Sequence, residues 1–262
     1  MKLTATILIT CFTMGSLGII PSTFAEPIPS DDFQTLRSDI QDLREGQRAI
    51  REDLEAIKEL LKGRDRPNKT VDDVSLTLNI TDDPSKGKPE ARVTLIEFTD
   101  YQCPYCSRHA FSVLPQLEKT FIDTGRIQYV LRDFPIASLH PYAAKAHEAA
   151  HCAGEQGKYW EMHDQLFTNQ KALQAEHLAG YARKAGVSDD AVFQICLESG
   201  KYHRLSQGSI DEGTRAGVRG TPSFLLGVTD GDGNVRVLKL IRGAQPFPVF
   251  QEHINSLLTS HD

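Results

Sequence analysis

The stretch TDYQCPYCSRHAF, residues 99–111, carries two cysteines three positions apart, directly after the apolar run VTLIEF. The β-branched and apolar residues of that run predict a buried strand. Pro104 suits the first position of a helix, so the order predicted here is strand, Cys-x-x-Cys and helix. A thiol at Cys103 would face free backbone N–H groups and the positive end of the helix dipole, which lower the pKa of a thiol.

Cysteines at this spacing serve as zinc ligands, structural disulfides or redox centres. A zinc site needs more ligands than His109 supplies, and no second Cys or His pair has zinc-finger spacing. A structural disulfide gains little entropy from closing so short a loop. The pattern therefore favours a redox centre in which Cys103 is the nucleophile and Cys106, one turn into the helix, is the resolving thiol.

The sequence predicts neither a metal nor a cofactor. Four histidines further along the chain lack the spacing of a recognised metal site. They are His140, His147, His151 and His163, and the second and third share one helical face.

The composition is that of an ordinary globular protein. The chain has 262 residues, of which 40% are hydrophobic and 24% charged, enough for one sizeable domain with extras or for two small ones. The net charge of −6 argues against nucleic acid or an anionic membrane as the main partner.

The first 25 residues predict a cleavable secretory signal. They hold a basic residue at Lys2, a short apolar core and small residues that end at Ala25. A retained membrane anchor is the alternative, but glycine and proline break the apolar core. Of five cysteines, Cys11 would leave with the signal, and an even number would remain in an exported, periplasmic protein. That number favours disulfide chemistry over zinc.

Residues 31–62 predict a coiled coil, because apolar residues recur with a 3.5-residue period. Position a holds Phe33, Ile40, Gln47, Leu54 and Leu61, and position d holds Leu36, Leu43, Ile50 and Ile57. Three flanking pairs of opposite charge agree with a parallel arrangement: Asp32–Arg37, Asp39–Arg44 and Asp53–Lys58. We expect a homodimer or a homotrimer; the alternative is a single amphipathic helix packed on its own domain.

The chain divides into a signal (1–25), a coiled-coil segment (26–62), a linker with room for a short strand (63–88) and a domain (89–262). The pattern within the domain predicts an α/β thioredoxin-like order. Its elements are strand 92–98, helix 104–122, strand 126–134, a helical insertion over about 138–216, a hairpin formed by TPSFLLGV and VRVLKLIRG, and a helix over about 247–258.

Three separated segments carry a resemblance to a known family. GKPEARVTLIEFTDYQCPYC, CAGEQGKYWEMHDQLF and GVRGTPSF occur in the order found in DsbA-like thiol-disulfide oxidoreductases of the thioredoxin superfamily. The resemblance covers residues 86 to about 258. The N-terminal coil departs from the monomeric DsbA plan and is more similar to oligomeric relatives of the ScsC type, or by analogy to DsbC.

The resemblance implies roles for residues around the cysteine pair. Glu97 matches a buried acidic residue that relays a proton for the inner thiol; a partly exposed strand glutamate is the alternative. Pro222 matches a cis proline that lies against the cysteines and offers the Thr221 backbone to an extended substrate. Tyr105 brings no positive charge, so we expect a less acidic Cys103 and a less oxidising disulfide than in a Pro-His version.

The remaining cysteines, Cys152 and Cys196, fall in the helical insertion. In an exported protein they predict a structural disulfide between two helices, with two buried free thiols as the alternative. Tyr159 and Trp160 are expected to pack in the insertion, although they could instead border a substrate groove.

The function predicted from the sequence is that of a periplasmic thiol-disulfide oxidoreductase acting on exported proteins that carry thiols or disulfides. Oligomerisation would favour disulfide isomerase activity, because several active sites could hold one substrate. A membrane redox partner, not identified by the sequence, would keep the dithiol reduced or oxidised. The alternatives are a dithiol oxidase without isomerase activity and a client-binding chaperone or scaffold without turnover.

Overall fold

The computed structural model describes residues 30–62 and 76–259, and the side chains of residues 33–56 and 76–259. The predicted signal and the first half of the predicted linker lie outside these residues. The chain divides into two units, Met1–Arg66 and Pro67–Asp262. Neither described segment contains a helix long and apolar enough to cross a membrane.

The described part of the first unit is the helix α1, which spans Ser30–Lys62. Six of its apolar side chains at predicted a and d positions are described, and they are between 41% and 70% exposed. They are Phe33, Leu36, Ile40, Leu43, Ile50 and Leu54. An isolated helix with such a stripe leaves its apolar face in water, which is the surface that a coiled coil would bury. The coiled coil itself stays a prediction.

The second unit is built on a six-stranded sheet in the order β1-β6-β5-β3-β4-β2. The strands are β1 (Thr77–Asn79), β2 (Ser85–Gly87), β3 (Val93–Thr99), β4 (Ile127–Asp133), β5 (Ser223–Thr229) and β6 (Asn234–Arg242). The central pair, β3 and β4, is parallel, and every other pair is antiparallel. All seven residues of β3 and of β4 are buried, because both faces of the sheet are covered.

Eight helices belong to the described part of this unit. They are α2 (Pro104–Ser112), α3 (Leu114–Leu117), α4 (Ala143–Gly154), α5 (Tyr159–Thr168), α6 (Ala175–Lys184), α7 (Asp190–Ser199), α8 (His203–Arg215) and α9 (Phe247–Thr259). A short π-helical turn, Glu118–Ile122, follows α3. Helices α4 to α8 form the predicted helical insertion between β4 and β5.

Alternation along β3 decides which residues approach the cysteine pair. Leu95 points into the larger core, which also contains Cys103 and Cys106, whereas Ile96 points into the smaller core on the opposite face. Successive side chains of a strand point to opposite faces, so Glu97 shares the face of Leu95. The carboxyl group is therefore on the cysteine side of the sheet.

Two local features differ from the sequence prediction. The single helix predicted for residues 104–122 is interrupted near Val113, because Pro115 has no N–H to continue the hydrogen-bond ladder. The end of the predicted linker contributes two edge strands, β1 and β2, which pair with β6 and β4. Both strands have three residues, too few for an alternating pattern to show in the sequence.

A disulfide joins Cys152 of α4 to Cys196 of α7, and their Cα atoms are 5.8 Å apart. The two cysteines are 44 positions apart in the chain, so the bond closes a long loop within the helical insertion. A cross-link of this kind stabilises a fold mainly by restricting the unfolded chain.

Replacing both Cys152 and Cys196 with alanine should lower the free energy of unfolding by about 4 kcal/mol, the loop-closure entropy for a 44-residue loop. Guanidinium denaturation followed by circular dichroism measures the change. The alkylation rate of Cys103 should stay the same, since the bond lies in a different part of the unit. A loss below about 1 kcal/mol would contradict this role.

Candidate active site

Cys103 occupies the N-cap position of α2 and Pro104 the first helical position, as the sequence predicted. The thiol is 4% exposed, and its Sγ donates to the carbonyl oxygen of Thr221 at 3.4 Å. A hydrogen bond from the Cys106 thiol, with further bonds from the backbone N–H groups of Cys106 and Tyr105, outweighs burial and lowers the pKa of Cys103 to about 6. A substantial fraction of Cys103 is therefore thiolate at neutral pH.

Cys106 has the opposite environment one turn further into α2. It is fully buried, and burial, the hydrogen bond to Cys103 and the charge of Glu97 raise its pKa well above that of an ordinary thiol. Both thiols are free in this structure. One sulfur is ready to attack, while the other must lose a proton before it can react.

Glu97 lies in β3 with only 2% of its surface exposed. It is therefore a buried carboxyl group and not a partly exposed strand glutamate. The hydroxyl group of Tyr129, on the neighbouring strand β4, donates to Oε2 of Glu97. Burial raises the pKa of Glu97 to about 7, against the opposing effect of hydrogen bonds from Tyr129 and Thr99. A carboxyl group with this pKa can accept and return a proton near neutral pH.

The Thr221–Pro222 bond is cis and directly precedes β5. This peptide bond lies beside Cys103, because the carbonyl oxygen of Thr221 accepts a hydrogen bond from Cys103 Sγ. The structure therefore brings Thr221, 118 positions away in the chain, to the cysteine pair and to Glu97, which lies six positions before Cys103.

Sequence reasoning missed two residues that hold the loop before α2. Oδ1 of the buried Asp100 accepts from the backbone of Gln102, and Oδ2 accepts from the backbone of Ile136 and contacts His140 Nδ1, each at 2.8 Å. Nε2 of Gln170 donates to the carbonyl oxygens of Tyr101, at 2.7 Å, and of Cys103, at 2.9 Å. Apart from the contact between Asp100 and Gln102, these contacts span 36 to 69 positions of the chain, and no local pattern signals them.

Two histidines of the insertion contact a buried carboxylate. His147 Nδ1 and His151 Nε2 lie 2.8 Å and 3.0 Å from the two oxygens of the buried Asp133. Burial alone would raise the pKa of Asp133, but His147 and His151 hold it well below its usual range. Among the residues whose side chains are described, no three or more His, Cys, Asp and Glu side chains are grouped to hold a metal ion.

Tyr159 and Trp160 pack with the larger core, as predicted. The indole Nε1 of Trp160 donates to the carbonyl oxygen of Ser85, at 3.2 Å. This bond fastens α5 to the edge strand β2. Trp160 therefore has a structural role between the insertion and the sheet.

A family model described as thioredoxin matches residues 80–240, more than half of the chain. The chain belongs to the thioredoxin family. Within it, the fold is that of DsbA-like proteins: α-DsbA1 from Wolbachia pipientis is 22% identical, with a TM-score of 0.60 over 70% of this chain and 94% of that one. A thioredoxin-like oxidoreductase from Silicibacter pomeroyi DSS-3 is 27% identical, with a TM-score of 0.56 over 68% and 92%. The predicted thioredoxin fold is confirmed.

A curated relative carries a different name. The Na(+)/H(+) antiporter NhaA 1 of Salinispora arenicola is 36% identical over 141 residues, which are 54% of this chain and 21% of that protein. The matched segment spans about a fifth of the length of this relative. The name of the relative refers to that whole protein.

Replacing Cys106 with alanine should raise the pKa of Cys103 from about 6 toward the ordinary thiol value, because the largest contribution to its lowered pKa is lost. The alkylation rate of Cys103 as a function of pH, followed by mass spectrometry, measures the change. The control is Tyr105→Phe, which keeps the backbone N–H of residue 105 and should leave the midpoint unchanged. A midpoint that stays near 6 in the alanine variant would show that Cys106 does not stabilise the thiolate.

Glu97→Gln should change how stability depends on pH. The folded pKa of about 7 lies above the ordinary value of 4.5, so the stabilisation from the protonated carboxyl is present below pH 4.5 and lost as the pH rises to 7. The free energy of unfolding of the wild type, minus that of the variant, should fall by about 3 kcal/mol across this range. Denaturation curves of the dithiol form at several pH values measure it, and parallel curves would refute the raised pKa.

Proposed function

We propose that the protein is a thiol-disulfide oxidoreductase that acts on exported proteins through Cys103 and Cys106. The observation that carries the proposal is the unequal dithiol: Cys103 has a lowered pKa at a helix start, and Cys106 is buried with a raised pKa. Reactive thiols are recognised by this kind of environment. The similarity to the thioredoxin-like oxidoreductase of Silicibacter pomeroyi supports the proposal.

The chemistry follows from the two pKa values. The Cys103 thiolate attacks one sulfur of a substrate disulfide, forms a mixed disulfide and releases the other substrate sulfur as a thiolate. Cys106 then loses its proton and attacks Cys103 Sγ. The substrate leaves with both sulfurs reduced, and Cys103 and Cys106 become a disulfide. The reverse sequence takes two electrons from a substrate dithiol and oxidises it.

Isomerisation uses the first step alone. If a thiol of the substrate attacks the mixed disulfide before Cys106 does, the substrate regains a disulfide at a new position and Cys103 is released as thiolate. No net oxidation occurs. The outcome depends on how long the substrate stays bound compared with the time that Cys106 needs to react.

Exposed apolar side chains near the dithiol would hold a loosely folded substrate. Tyr105, between the cysteines, is 57% exposed, and Leu139 is 70% exposed. The segment of Leu139 lies beside the active-site loop, because the backbone of Tyr142 donates to Gln102 Oε1 at 2.7 Å. This surface suits exposed apolar residues of unfolded chains and gives the chaperone alternative its support.

The apolar stripe of α1 supports self-association. Six of its side chains are exposed on the single chain and occupy heptad positions. We propose that residues 31–62 form a homodimer or homotrimer, so that two or three active sites share one substrate. Such an arrangement lengthens the residence of a substrate and favours isomerisation. The export signal in residues 1–25, the periplasmic location and a membrane redox partner complete the proposal.

Cys103→Ser should abolish both the refolding of scrambled ribonuclease and the oxidation of reduced ribonuclease, because both need the nucleophile. Leu43→Asp places a charge at a predicted d position and should reduce the oligomer mass and the scrambled-ribonuclease rate while leaving oxidation intact. Gln41→Asp, on the same helix but outside positions a and d, is the matched control. Sedimentation and the two ribonuclease assays measure these effects.

The outcomes separate the alternatives. Full activity of Cys103→Ser would make the protein a chaperone or scaffold. Equal isomerase rates for Leu43→Asp and Gln41→Asp, with the oligomer dissociated only in the former, would mean that the helix has no part in isomerisation. Oxidation without isomerase activity in the wild type would identify a dithiol oxidase.

A further inference from the structure

His109 is a buried polar residue beneath the active site. The proposed exchange steps give it no role. It lies on α2 one turn after Cys106, it is fully buried, and its Nε2 is 3.5 Å from Glu97 Oε2. Neither ring nitrogen has a hydrogen-bond partner among the described residues. In a folded protein a buried polar group without a partner calls for an explanation.

Packing alone does not explain an imidazole at this position. Its ring contacts the rings of Phe224 and Phe250, with centroids 4.5 Å and 5.3 Å away. A phenylalanine or leucine would fill the same space without the cost of burying two unbonded nitrogen atoms. What the imidazole adds is the capacity to take up and release a proton next to Glu97.

His109 also lies beside a cleft. Glu97 and His109 are both buried, and His109 is one of the residues that line a cleft of about 500 Å³ between α2 and the segment 244–248. The cleft is lined by Arg108, His109, Ser112, Val113, Gln116 and residues 244–248. His109 therefore borders both Glu97 and this cleft.

We propose that His109 is a positioning residue that acts through Glu97. It passes the proton that Cys106 loses in the resolving step from Glu97 to water in the cleft. The inference rests on the proposed function. When Cys106 attacks Cys103 Sγ, its proton moves to the ionised Glu97, the Cys103–Cys106 bond forms and the substrate sulfur leaves as a thiolate. Glu97 then gives the proton to His109 Nε2, and the imidazolium loses a proton to water. Glu97 is ionised again.

The groups around His109 and Glu97 agree with a transient protonation of the imidazole. Burial and His163 lower the pKa of His109 to about 3, so the ring is neutral between turnovers and returns a proton quickly. The titratable groups that influence the pKa of Glu97 are Tyr129 from β4 and Cys103 from α2. The contacts from β5 and α9 come from Phe224 and Phe250, which carry no charge.

The test follows the two thiolates that the reduced protein releases from Ellman's reagent. The first release reports attack by Cys103 and depends on reagent concentration, and the second reports attack by Cys106 and does not. His109→Phe should slow the second release about tenfold, the lower end of what positioned proton transfer contributes, and leave the first within about twofold. The reduction potential should not change, because a relay affects a rate and not an equilibrium.

Two controls distinguish a relay from a packing effect. In a Glu97→Gln background, His109→Phe should have no further effect on the second release, since the relay has no carboxyl to serve. Phe250→Leu, which changes the packing beside the imidazole without removing it, should leave both releases within about twofold. If His109→Phe fails to fold by circular dichroism, His109→Leu replaces it.

Three results would overturn the inference: an unchanged second release in the His109 variant, an equal slowing of both releases, or the same slowing with and without Glu97. Failure of both His109→Phe and His109→Leu to fold would also overturn it, since His109 would then be needed for the fold. A wild type that shows no release from Cys103 would instead disprove the proposed function.

Discussion

Helix α2 shifts the pKa values of its two active-site thiols in opposite directions, and the rest of the structure serves to maintain this difference. At the start of α2, backbone N–H groups and the Cys106 thiol favour the thiolate of Cys103, and one turn later burial favours the neutral thiol of Cys106. The difference between the two pKa values persists only if α2 begins at Pro104 and remains packed on the sheet. The buried strands β3 and β4 provide the rigid surface, and Glu97 provides a group beneath the pair that can take a proton near neutral pH.

The helical insertion supports the catalytic loop as well as covering the sheet. Gln170, which follows α5, binds the carbonyl groups of Tyr101 and Cys103, and the Asp100–His140 pair ties the same loop to the segment before α4. Asp133 at the end of β4 is in turn enclosed by His147 and His151 of α4. Displacing the insertion would therefore disturb the position of Cys103 through its own carbonyl oxygen, without any change in α2.

The features that the sequence predicted well are those with a local cause. The run before Cys103 is apolar and β-branched, Pro104 fits a helix start, and the structure has a strand and a helix at these places. Thr221–Pro222 could be placed against the cysteines only through a family resemblance, since nothing in GTPSF itself specifies a cis bond. Gln170 and the contacts of Asp100 with Ile136 and His140 were missed because these partners lie far along the chain. His109 was considered only as a zinc ligand, because its burial beside Glu97 depends on how α2 packs on β3.

The proposed activity divides between two units that share no residue. The second unit determines whether a mixed disulfide forms and how fast Cys106 resolves it, whereas α1, through its exposed apolar stripe, would determine how many such sites meet one substrate. Isomerisation requires that the substrate rearrange before Cys106 attacks, so a slow proton transfer from Cys106 and a long residence time act in the same direction. The burial that raises the pKa of Cys106 and the association proposed for α1 would thus favour the same outcome by independent physical means.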